Sequence, residues 1–140
     1  MKLQIQNDWI SEAESIYAEN RVALKVRVVE GRGGGRVTTV RVMGDVVRRT
    51  ENRFRAYVRF GTINMAITNN GRTFAHEIGH IIGLRDRYSD DPVTGYSVAH
   101  PEYEENLMSS GRQLKDAQIA TIARNFNAGA LRTFVASDPR

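Results

Sequence analysis

His76-Glu77-Ile78-Gly79-His80-Ile81-Ile82-Gly83-Leu84-Arg85-Asp86 is the stretch on which the reading of this chain turns. Residues four apart on a helix share a face, one turn apart. His76 and His80 can therefore present two imidazoles to one metal ion. Glu77 is rotated from His76 by about 100°, so it can reach a water on that ion without being a ligand. Gly83 stands where the helix should end, and a left-handed glycine there lets the chain reverse. Asp86 follows three residues later, and the reversed chain can bring its carboxylate back to the metal. The full pattern is H-E-x-x-H-x-x-G-x-x-D. Solvated side chains on a surface helix are the bland alternative, but two of the chain's three histidines sit here at ligand spacing. Three protein ligands and a spare glutamate suit a catalytic metal with an open position better than a closed structural one.

Working outward, the periodicity predicts a helix from about Thr73 to Leu84, entered from the turn residues Asn69-Asn70-Gly71. Upstream the chain alternates. Leu3 and Ile5 suggest a short first strand, and Val22, Leu24, Val26 and Val28 a second. Val37 to Val47 reads as a third. Phe54, Ala56, Val58 and Phe60 form a fourth, with Arg53, Arg55, Tyr57 and Arg59 on its other face. Ile63, Met65 and Ile67 form a fifth. Trp9, Ala13, Ile16 and Tyr17 recur at helical spacing between the first two strands, so Asp8 to about Asn20 reads as an amphipathic helix. The cluster Gly31-Arg32-Gly33-Gly34-Gly35 reads as a turn, since no phosphate-loop Lys-Ser/Thr follows it. Residues 85–112 read as one long irregular loop, a type that often carries function. A last helix places Ile119, Ile122, Ala123, Phe126 and Ala130 on one stripe, and the tail from Ala136 is expected to fray. The fold class expected is α+β, with a mixed five-stranded sheet in a single domain spanning 1–140.

With 140 residues and ordinary hydrophobic and charged content, one core is expected. No apolar run approaches the roughly 20 residues that cross a bilayer, and residues 1–8 lack a signal peptide's apolar stretch. The chain is thus expected to be cytoplasmic, or else a domain of a larger secreted or delivered protein. Cysteine is absent, so a metal must be held by His, Asp or Glu. The net charge of +4 is carried mainly by arginines between Arg21 and Arg59. Their alternate placing suits a solvated sheet face more than a nucleic-acid surface, and residues 1–60 offer neither a reading helix nor an aromatic stacking set.

The motif resembles the zinc signature of the metzincin peptidases, in the variant with aspartate as third ligand that small bacterial proteases of the snapalysin type share. Asn106-Leu107-Met108-Ser109 resembles the metzincin Met-turn, whose methionine packs beneath the metal. The resemblance implies a minimal metzincin-like layout of strand, helix, four strands, zinc helix, Met-turn and last helix. It also implies Zn2+ on His76, His80 and Asp86, Glu77 as general base, Gly83 and Met108 as structural support, and a protein or peptide substrate bound along the fourth strand. The arginines of that strand would favour acidic substrates. A weaker likeness is to short metallopeptidase domains of Rhs-type bacterial toxins, which would imply an immunity protein that blocks the cleft. Where several metzincins carry a tyrosine two residues after the methionine, this chain has Ser110. Tyr88, Tyr96, Tyr103 and His100 are the candidates to replace it. His100 could also displace Asp86 as ligand, and a thermolysin-like reading would recruit Glu102, Glu104 or Glu105. The contrasting functional class is a non-catalytic zinc-binding module that recognises a protein partner.

Overall fold

A computed structural model describes residues 2–26, 38–43, 56–59, 62–66 and 69–128. It is α+β, and its first element corrects the expected layout. Lys2–Glu19 is one helix, α1, so Leu3 and Ile5 lie in a helix and not in a strand. The physical reason is continuity: no glycine or proline separates Ile5 from the helical stripe, and Lys2, Gln4 and Gln6 are good helix formers that outweigh Asn7 and Asp8. Trp9, Ala13, Ile16 and Tyr17 are buried, as their spacing requires. The helix stops at Asn20, whose side-chain amide donates to Ile16 O at 2.9 Å. Arg21 then turns left-handed at φ 64°, and the Val22 amide closes onto Tyr17 O at 2.9 Å.

Val22, Leu24 and Val26 lie partly buried against the core, alternating with exposed neighbours. The period-two pattern is therefore real, but residues 22–26 form no strand. The Val26 amide instead donates to Glu14 Oε2 at 2.8 Å, which runs this segment back along α1. Val28, the glycine cluster, Arg53, Phe54, Arg55, Phe60, Ile67 and the tail from Ala136 lie outside the described residues.

Three strands make the main sheet: β1 (Thr39–Met43), β2 (Tyr57–Arg59) and β3 (Thr62–Ala66). β3 is central. It pairs parallel with β1, Val40 opposite Ile63, and antiparallel with β2, Val58 opposite Ile63. Ala56 and Val58 are buried while Arg59 is exposed, as alternation predicts. Ile63, Asn64, Met65 and Ala66 are all buried, so the central strand is covered on both faces.

Two further strands, β4 (Tyr88–Asp90) and β5 (Ser97–Ala99), form a separate antiparallel hairpin inside the expected irregular loop. The five strands among the described residues are thus split three and two, not joined in one five-stranded sheet. The hairpin turn is local chemistry. Asp91 Oδ1 accepts from Val93 N and Thr94 N at 2.7 and 3.2 Å, and Gly95 closes the turn at φ 74°.

α2 (Gly71–Ile81) packs on α1 and faces β2 and β3. Asn70 caps it, its side chain accepting from Thr73 N at 2.9 Å. α3 (Asp116–Ala128) is the last helix. Its expected apolar stripe makes only part of the packed face: Ile122 packs on the core and Phe126 is 70% exposed, while Gln118 and Asn125 are buried. Among the described residues, no helix is long and apolar enough to cross a membrane.

Candidate metal centre

Eight residues of α2 are buried, among them His76, Glu77 and His80. Burial of three polar side chains in one and a half turns is costly unless they are satisfied, and each imidazole has a partner at Nδ1. His76 Nδ1 lies 2.8 Å from Leu107 O and His80 Nδ1 lies 2.9 Å from Leu84 O. A carbonyl only accepts, so each Nδ1 donates its proton there, and each Nε2 is turned away from the backbone, where a metal ion would take its lone pair. This is the arrangement by which a backbone carbonyl orients a ligand histidine.

The two Nε2 atoms converge on Asp86. Its Oδ1 is 3.0 Å from His76 Nε2 and 3.0 Å from His80 Nε2. Gly83 makes this possible. It adopts φ 102°, beyond the reach of ordinary side chains, and the Leu84 amide folds back onto Gly79 O at 2.8 Å. The backbone reverses there and returns the carboxylate to the helix face. The rings of His76 and His80 stand edge to face, 85° apart, with centroids separated by 5.0 Å.

Three electron-pair donors within 4.8 Å of one another can hold a metal ion. Their spacing fits one: a tetrahedral centre with bonds of about 2.0–2.1 Å sets its donors roughly 3.3 Å apart. Two imidazoles and one carboxylate, with no thiolate, form a borderline donor set open to several divalent metals. Asp86 keeps 19% of its side chain exposed while His76 and His80 keep 2% and 0%, so the centre opens to solvent on the carboxylate side.

Glu77, the next residue after His76, is fully buried. Tyr17 of α1 lies beneath this turn, donating to Ala75 O at 2.8 Å. Its burial first, and the Glu77 charge second, push the phenol far above its ordinary range. Met108 is buried too, directly under Gly79: a Cβ added there would meet Met108 Sδ at 2.5 Å. The glycine inside the motif is thus the seat on which the methionine rests.

Of the four polar groups the sequence left open, Tyr88 alone is brought beside a ligand, its ring centroid 6.3 Å from that of His76. Tyr103 is held between Arg87 and Lys115, whose cationic groups lie 4.9 and 4.5 Å from its ring. Tyr96 is 76% exposed near the hairpin tip. His100 Nε2 is 3.0 Å from Ser89 Oγ and joins no ligand group. Glu102, Glu104 and Glu105 are exposed and likewise stand apart from it. Sequence reasoning missed the parts played by Tyr17 and the Leu107 carbonyl, which reach α2 from 58 and 31 residues away, and by Arg72 of α2, which reaches Leu107 O 35 residues downstream.

No protein-family model, curated protein or solved structure matches the chain.

Proposed function

We propose that the chain is a zinc-dependent endopeptidase of metzincin-like design, acting on peptide bonds through its His76, His80 and Asp86 centre. The observation that carries this reading is the convergence of two imidazole Nε2 atoms and one carboxylate oxygen, on a helix whose buried Glu77 directly follows the first ligand. A zinc ion held there supplies Lewis acidity, acidifying water and polarising a carbonyl. Glu77 is the general base: it takes the proton of the attacking water and returns it to the departing amine. Its burial keeps bulk solvent from competing for that proton. Tyr88, whose ring neighbours that of His76, is the phenol we assign to the oxyanion of the tetrahedral intermediate. An extended substrate lies along β2, at the edge of the three-stranded sheet. Exposed Arg59 there favours acidic side chains.

Glu77→Gln tests the reading. The wild type should degrade unfolded casein, a chelator should stop it, and the variant should bind zinc without cleaving. Casein hydrolysis by the variant at the wild-type rate would exclude Glu77 as the base. A wild type that binds zinc yet cleaves nothing in a broad peptide library would favour a non-catalytic, partner-binding module.

A further inference from the structure

Residues 105–113 close on themselves. Leu107 N donates to Gln113 O at 2.8 Å, Ser109 N and Gly111 N both reach Asn106 O at 2.9 Å, and Gln113 N reaches Glu105 O at 2.9 Å. Met108 N is taken by the Asn106 side chain at 3.0 Å, and Asn106 is locked to Gln118 of α3 by two amide bonds of 2.7 and 3.0 Å. Gly111 permits the closure, since a Cβ there would collide with the Glu105 backbone. The loop's amides are thus spent internally or on α3. Its Met108 carbonyl accepts from Arg87 N at 2.8 Å. The carbonyls of Leu107, Ser109 and Gly111 face α2 instead, and Leu107 and Ser109 belong to buried residues. Buried carbonyls need donors.

One side chain meets all three. Arg72 Nη1 lies 3.0 Å from Gly111 O and 3.4 Å from both Leu107 O and Ser109 O. The first is a full hydrogen bond, and the other two are longer charge–dipole contacts that gather the carbonyls around one cation. Arg72 also stands four residues before His76, on the same face of α2. The two side chains therefore share an acceptor: Leu107 O takes the His76 Nδ1 proton at 2.8 Å and faces the Arg72 guanidinium.

We propose that Arg72 is a positioning residue for the metal centre, holding the Leu107 carbonyl where it orients the His76 imidazole and keeps Nε2 aimed at the metal position. The inference rests on the zinc reading of that centre. Without the guanidinium, three carbonyl dipoles repel one another and the loop relaxes away from α2. His76 then loses the acceptor that fixes its ring plane, and Nε2 swings off the metal position. Groups that orient a ligand histidine typically contribute about 10–100-fold to metal affinity.

The test uses Zn2+ alone, titrated against a chromophoric chelator, and crystal structures of the metal-free proteins, read at the Leu107 O to His76 Nδ1 distance. Arg72→Met should weaken Zn2+ binding about 10–100-fold and break that contact. Arg72→Lys, which cannot span three carbonyls, should fall between. Arg112→Met is the control: Arg112 ties the same loop to Glu12 and Glu19 of α1 without touching the gathered carbonyls, so it should lower the melting temperature and leave Kd and contact unchanged. A folded Arg72→Met with wild-type Kd and the contact intact would overturn the proposal. Should that variant not fold, the same pair of unchanged readings in Arg72→Lys overturns it. If the wild type binds no Zn2+, the zinc reading fails by itself, and the contact in metal-free protein still decides the role of Arg72.

Discussion

Gly83 shows how much chemistry a single residue without a side chain can carry. At φ 102° it lies where an L-residue is strained by about 1–3 kcal/mol, and the reversal it permits is what returns Asp86 to His76 and His80. Gly83→Ala should therefore lower the unfolding free energy of the metal-free protein by about 1–3 kcal/mol, read by urea denaturation, and should weaken Zn2+ binding in what remains folded. A variant as stable as the wild type, with unchanged Kd, would mean that the turn does not need glycine. The ligands and this glycine were legible in the sequence because their relation is local: helical spacing and a C-terminal reversal are set within eleven residues, 76–86. Arg72, Tyr17 and the Leu107 carbonyl were not. A tyrosine at helical spacing reads as core, and nothing in its neighbours announces a hydroxyl aimed 58 residues downstream at Ala75 O.

At the scale of elements, the same distinction between local and distant causes sorts the fold. α2 and α3 stand close to where periodicity and capping residues put them. The turn Asp91-Pro92-Val93-Thr94-Gly95 carried readable signals, but the strands it joins are three residues each and largely exposed, too short for alternation to mark them. α3 was placed correctly and faced only in part: Ile122 packs on the core. The surface it meets is also polar, and two residues seven apart serve it: Gln118 holds Asn106, and Asn125 donates to Ile82 O at 3.2 Å, closing the C-terminus of α2. The apolar stripe yields because buried, unpaired carbonyls cost more than a partly exposed Phe126. Between α1 and α2 the tie is Tyr17, and it makes a pH prediction. A phenol whose folded pKa is raised contributes stability that is fully present below its unfolded value of 10.0 and is lost as pH climbs above it. Wild-type unfolding free energy should accordingly fall more steeply above pH 10 than that of Tyr17→Phe, which should be weaker at neutral pH by about 0.5–1.5 kcal/mol for the lost bond to Ala75 O. Denaturant titrations across that range compare the slopes. Parallel curves would show that the Tyr17 phenol titrates equally in the folded and unfolded chain.

For the whole molecule, the centre joins three parts: α2 supplies two candidate ligands, the reversal after it the third, and the loop that carries Met108 the carbonyl that orients one of them. A metal bound to this assembly stabilises the folded state by mass action, about 2.7 kcal/mol at a free concentration 100-fold above Kd. For a chain of this length that corresponds to a rise of roughly 10 °C in melting temperature. The surface ion pairs offer no comparable lever. Arg21 and Asp116 pair at 2.9 Å, but with side chains 77% and 93% exposed their attraction is largely screened. The metal term has its own limit, because all three ligands fall within eleven consecutive residues. An unfolded chain keeps His76, His80 and Asp86 near one another and retains some affinity, which subtracts from the shift. Calorimetry with Zn2+ and with chelator should thus show a rise that stays below the full value for the wild type and equally for Glu77→Gln, which keeps every ligand. Asp86→Ala should lose most of the rise, since the two imidazoles sit four apart on any helical turn and bind folded and unfolded chain more nearly alike. A wild-type melting temperature indifferent to Zn2+, at concentrations where direct titration shows the site filled, would mean that the ion does not prefer the folded arrangement of these three side chains.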